Sequence, residues 1–139
     1  MVVKPVRLGA AALIGAVCGM RTFTGPAVLA LRGRLARRAR LPLTAIAVGE
    51  AIGDKTAIVP ARTSPPSLVG RASSGALSGR ALAGAPGVVL GALGALAGTF
   101  GAYRARAALV ERTGLPDPLL GVVEDAVAVA SAVLASRVS

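Results

Sequence analysis

Val48-Gly49-Glu50-Ala51-Ile52-Gly53-Asp54-Lys55 places two carboxylates and an ammonium inside a stretch otherwise apolar enough to enter a membrane. Charges are costly in lipid, so such side chains at membrane depth turn into a helix bundle or a wet cavity, where they mark ion or substrate paths. A spacing of four puts Glu50 and Asp54 on one face of a helix. Beside them Ala45, Gly49, Gly53 and Ala57 form a stripe of small residues, the kind of surface that lets a second helix approach closely.

The apolar run holding this stretch covers residues 42–59, with Pro42 at a first helical position and Pro60 just beyond its end. At 1.5 Å per residue it reaches about 27 Å, close to the thickness of a hydrocarbon core. An earlier run, residues 8–31, follows Lys4 and Arg7. Its basic start resembles a signal peptide, but no small-x-small cleavage site follows, and Ala11, Gly15 and Gly19 recur every four residues as on a packed transmembrane helix. Retention is the expectation. Within this run lies Arg21-Thr22-Phe23-Thr24-Gly25-Pro26, where Pro26 predicts a kink or break. Backbone freed by a break in lipid must be buried in protein or line a wet cavity, so this motif belongs near the site.

Two further runs follow. Residues 86–103 carry Gly87 and Gly91 on one stripe and Gly94, Gly98 and Ala102 on another; residues 116–136 carry Glu124 and Asp125 near their middle. The intervening residues 60–85 open with the loop chemistry of Pro60-Ala61-Arg62-Thr63-Ser64-Pro65-Pro66 and continue from Gly70-Arg71 to Gly79-Arg80, too polar for an ordinary span. Gly75, Gly79 and Ala83 share a helical face, which predicts a packed helix, re-entrant or fully crossing; a flexible Gly/Ser linker is the plainer alternative. The expected fold is therefore all-α. It is a polytopic membrane bundle of four main helices plus a central Gly/Ser/Arg-rich re-entrant or fifth helix, in one domain over residues 1–139.

Composition agrees with lipid as the solvent. The 139 residues are 54% hydrophobic, with mean hydropathy +0.70, but the apolar content is mostly Ala, Val, Leu and Gly, and there is no Trp. Small residues suit tightly packed helices in a bilayer, whereas a water-soluble core needs bulk. The near-absence of aromatics leaves no aromatic belt. A net charge of +10 admits phosphate-backbone binding in principle. Yet the arginines of residues 31–40 cluster between apolar runs, where the positive-inside rule puts them, and no nucleic-acid partner is expected. The chain has no histidine and one cysteine, Cys18, so zinc-type sites and internal disulfides are excluded, and no motif calls for a cofactor.

The sequence also repeats itself. Leu41-Pro42 precedes Glu50 as Leu115-Pro116 precedes Glu124, at a constant offset of 74, and Gly15, Gly19 and Thr22-Phe23 are echoed, with a shift of a few residues, by Gly94, Gly98 and Thr99-Phe100. Residues 8–59 and 86–137 thus read as two hairpins joined by 60–85, each with its acid on the second helix. Small transporters often build a site where repeats meet. With both arginine loops on the cytoplasmic side the hairpins run parallel and the centre re-enters; if the centre crosses, the repeats are inverted. The first arrangement is the expectation.

The motifs Arg21-Thr22-Phe23-Thr24-Gly25-Pro26, Gly49-Glu50 with Asp54-Lys55, Arg62-Thr63-Ser64-Pro65-Pro66, Gly70-Arg71 with Ser74-Gly75-Ala76, and Leu115-Pro116-Asp117 with Glu124-Asp125 resemble the domain of unknown function 4126 family over nearly the whole chain. The resemblance implies a small bacterial protein crossing the plasma (inner) membrane several times. It implies no activity.

Function is therefore argued from the residues. Four of the six acids lie well inside apolar runs, away from their ends. The leading expectation is a transporter or channel-like protein in which Glu50, Asp54, Glu124 and Asp125 bind protons or cations, with Arg21, Lys55, Arg71 and Arg80 as their partners or as ligands of a small anionic substrate, and with Thr22 and Thr24 of the broken helix in the same site. A scaffold or partner-binding subunit with structural ion pairs is the alternative. A membrane enzyme acting on lipid phosphate through a metal at Glu50 and Asp54 is a third reading, with no recognised catalytic motif behind it. Surplus glycine stripes point to a homodimer.

Overall fold

The structure, a computed structural model, describes residues 2–53 and 64–138, so Asp54 and Lys55 of the opening motif lie outside the described residues. All regular elements among those residues are helical: α1 (Pro5–Met20), α2 (Thr24–Leu31), a short 3-10 turn (Arg37–Ala39), α3 (Arg40–Gly53), α4 (Pro65–Thr113) and α5 (Asp117–Ser136). By length and composition, α4 and α5 are the two described helices able to cross a membrane.

α4 is bent double. Its helical geometry fails at Gly84, whose φ of 66° and ψ of −146° belong to a region open almost only to glycine. The arms on either side, residues 65–83 and 85–113, return along each other. A side chain on Gly79 would strike the carbonyl of Gly87, and one on Gly75 that of Gly91; the reverse clashes occur from Gly87 and Gly91. Four glycines thus let two backbones touch. Residues 65–83, expected to be re-entrant or a fifth helix, form one continuous helical arm of about 28 Å, joined to the next arm with no intervening loop.

α1 lies on the second arm through the same chemistry. Gly15 meets the carbonyl of Gly91, and Gly19 that of Ala95; in return Gly94 meets the carbonyl of Ala12, and Gly98 that of Ala16. Residue numbers rise together along both helices, so the two run parallel.

The run 8–31, read as a single span, is instead two helices. α1 stops at Met20 and α2 turns back, with Gly25 against Cys18 and Ile14. Pro26 sits in the first turn of α2, where its missing N–H leaves no bond unmade, so the break falls just before it, at residues 21–23. This reversal separates the two arginine loops. Arg34 donates from Nη2 to the carbonyls of Ser136 and Val138 at the end of α5, whereas Arg106 holds Asp117 at its start. The loops therefore lie at opposite ends of α5, not on one side, because α2 carries the chain back to the end where α1 began.

The core is built from small side chains. Ala10, Ala11, Ala27, Ala30, Ala95, Ala128, Ala132 and Ala135 are buried, together with Ile14, Val17 and Leu29. Many large aliphatics face outward: Leu77 is 68% exposed, Leu93 57% and Val122 53%.

Candidate functional site

The site is assembled around the gap between α1 and α2, where three consecutive residues, Arg21, Thr22 and Phe23, are each tied to another element. α1 closes with the Arg21 amide on the Val17 carbonyl, and the residue before α2, Phe23, makes no side-chain capping bond, so the other backbone groups freed by the break need partners from elsewhere. Glu50 of α3 supplies two. Its Oε1 accepts from the Thr22 amide at 2.7 Å and its Oε2 from the Phe23 amide at 2.9 Å. A carboxylate thus sits where a helix N-terminus favours negative charge.

On the other side of the gap, α1 ends in carbonyls. Gly19 O accepts from Arg71 Nη1 and from the Thr99 hydroxyl at 3.1 Å; Thr22 O accepts from the Ser74 hydroxyl. Arg71 is held in turn by the Ser67 hydroxyl at 3.1 Å. Arg71 and Ser74 come from the first arm of α4 and Thr99 from the second, so the hairpin clamps the break from both sides. Arg21, only 2% exposed, reaches α5, its Nε 2.5 Å from Asp125 Oδ1 in an ion pair rather than an aligned hydrogen bond.

Of the residues singled out from sequence, Arg21, Thr22, Glu50, Arg71 and Asp125 meet here. Thr24 opens α2 beside them. Glu124 is held by a different element. It pairs with Arg106 Nη1 at 3.2 Å, and the same guanidinium holds Asp117 through Nε at 2.8 Å. The spacing in the sequence made Glu124 the expected counterpart of Glu50, and their partners differ for a physical reason. The second arm continues as helix through residues 99–106, so its amides are already bonded and Glu124 needs a side-chain cation. Arg80 is also apart, exposed near the end of the first arm.

Sequence reasoning did not assign Ser74, Thr99, Phe23 or Arg106. Thr99 had a signal, one turn beyond Ala95 on the face that meets α1. Phe23 contributes a main-chain amide, which no side-chain pattern reveals.

Beside the break opens a cavity of about 640 Å³, running from Phe23, Pro26 and Ser74 to Arg34 and Arg80. No cluster of three or more acidic, cysteine or histidine side chains suited to a metal occurs among the described residues. No family model matches the chain, and neither a curated protein nor a solved structure similar to it is found.

Proposed function

We propose that the chain is a small multi-pass protein of a bacterial plasma membrane, of the transporter or channel-like class, with Glu50 at the break between α1 and α2 as its proton-exchanging group. The observation that carries this reading is the carboxylate of Glu50 seated on the amides of a broken helix, one of which belongs to Phe23, a residue that lines the neighbouring cavity. Discontinuous helices whose N-termini face anionic groups near the bilayer midplane are a recurrent way of building transport sites. The depth is right: with α5 spanning, Asp125, which holds Arg21, stands about 12 Å from one end of that helix and 17 Å from the other. An anionic group entering here would compete with the Glu50 carboxylate for the Thr22 and Phe23 amides.

The membrane itself is supported by the outward-facing Leu77, Leu93 and Val122 around a core of alanine and glycine. A paired arrangement of α1 and the second arm of α4 is supported by an exchange of contacts: Gly15 against Gly91 and Gly94 against Ala12 interchange under a shift of 79, as do Gly19 against Ala95 and Gly98 against Ala16. We take α1 and the second arm as a pair related about an axis along the membrane normal; the relation does not extend to α3 and α5, which start from opposite ends of the bundle. The resemblance to the domain of unknown function 4126 family agrees with this class and adds no activity. A homodimer remains part of the proposal, resting on the exposed aliphatic faces, because most of the glycine stripes are used inside the chain.

The test is flux in liposomes under an imposed pH gradient. Loss of proton or anion flux in Glu50→Gln, with Arg106-bound Glu124→Gln affected less, is the expected result; equal, leak-level flux in all three proteins refutes it. A second reading is favoured by one observation: Glu50, Asp125 and Glu124 each have a partner. That suits a scaffold or partner-binding subunit, in which Glu50→Gln loses stability and nothing else.

A further inference from the structure

The cavity beside the break is walled unevenly. Its inner end holds Ser74 and Phe23 of the clamped break; along one side the first arm of α4 presents Ser73 and Leu77, with Leu43 of α3 also in the lining, and its outer end is marked by Arg34 and Arg80. The two arginines differ. Arg34 is spent on the C-terminal carbonyls of α5. Arg80 is exposed and makes no hydrogen bond or ion pair among the described residues. A cavity of about 640 Å³ falls within the roughly 300–1,000 Å³ typical of ligand sites, and such sites combine apolar walls with a few polar groups that fix orientation.

We propose that this cavity binds an anionic lipid, its phosphate headgroup at Arg80 and its acyl chain along Leu77, Leu43 and Phe23. The inference rests on the membrane reading above and names the cargo or resident ligand of the same site. Three features select this class. The cation lies at one end and the apolar wall along the length, which matches an amphiphile and not a compact ion. The mouth lies at the end of the bundle that carries the arginine loop 32–40, where anionic headgroups concentrate. The serines let a headgroup oxygen be bonded as it moves inward, toward the amides that Glu50 covers.

The chain has no tryptophan, so a single one reports on its surroundings. Leu43→Trp places it in the cavity and Leu93→Trp on the outer apolar face. Each is reconstituted in bilayers containing brominated phosphatidylglycerol, brominated phosphatidylcholine or dibromostearate, and quenching is titrated. The expected result is half-quenching of the cavity tryptophan at a tenfold lower fraction of phosphatidylglycerol than of phosphatidylcholine. The outer tryptophan should show no preference. Adding Arg80→Gln should abolish the tenfold preference, and the control Arg104→Gln, an equal loss of charge at the other end, should retain it. Equal quenching by the two lipids at the cavity, a preference that survives Arg80→Gln, or a preference for dibromostearate alone overturns the proposal. Failure of any brominated lipid to quench the outer tryptophan is a different result, because it overturns the membrane reading instead.

Discussion

Thr22 and Phe23 give both their amides to one carboxylate, and that is why Glu50 cannot be exchanged for its amide without loss. Glutamine at position 50 has one oxygen; the other amide would face an NH2 group, donor against donor. Charge-assisted hydrogen bonds are worth about 1.5–3 kcal/mol each. Glu50→Gln should therefore lower unfolding stability by about that much, read as an earlier thermal transition in detergent; an unchanged transition would show that the amides are satisfied in some other way. The pair of Arg21 and Asp125 calls for a different experiment, since burial costs Arg21 its hydration and the half-buried Asp125 part of its own. Removing either partner takes a close counter-charge from the other, which for a buried pair costs about 3–5 kcal/mol. We expect Arg21→Met and Asp125→Leu each to destabilise by that order and the double variant to cost clearly less than their sum, a coupling that a denaturation cycle measures directly. Additive losses would mean that the two side chains answer to other partners.

At the scale of elements, glycine decides which helices touch. Gly79 has the Gly87 carbonyl in the place of a side chain, whereas nothing lies within 4 Å of where a side chain on Gly101 would begin. Gly79→Leu should then abolish a monodisperse species on size exclusion, and Gly101→Leu should leave it intact; the same profile for both would refute the tight hairpin. Gly84→Ala tests the bend itself, at a cost of about 1–3 kcal/mol for an L-residue held in that backbone region. These contacts were partly legible beforehand. The stripes of Gly15 and Gly19, of Gly75 and Gly79, and of Gly87 and Gly91 announced close packing, because a four-residue period of small side chains has few other uses. What they did not announce was the partner, since a stripe carries no information on direction. The break was legible through Pro26 but misplaced by a few residues, because proline in a first helical turn ends nothing and only marks where a new helix begins. Glu50 and Asp125 were found as misplaced charges, yet the main-chain groups that receive Glu50 leave no trace in side-chain pattern. Likewise the equivalence of Glu50 with Glu124 was read from spacing, which is blind to whether the facing helix is broken.

For the whole molecule, the reversal at residues 21–23 sets a topology that charge can check. One end of the bundle gathers Lys4, Arg7, the arginines of residues 32–40, Arg80 and Arg137; the other has Arg104, Arg106 and Arg112. Basic residues near the ends of spans are retained in the cytoplasm, so the first end should lie inside and the turn between α4 and α5 outside. Replacing the buried Cys18 by alanine provides a background free of thiols. On it, Arg112→Cys should react with a membrane-impermeant maleimide in intact bacterial cells, while Arg38→Cys should react only after lysis. The two positions lie at opposite ends of the helix α5, about 30 Å long, so they report on opposite faces of one hydrocarbon layer. Reaction of both in intact cells would mean that the loop at residue 38 has crossed with the turn, which a helix joining their ends forbids. Protection of both would mean that neither end emerges, and that α5 and the second arm of α4 lie along the membrane instead of through it.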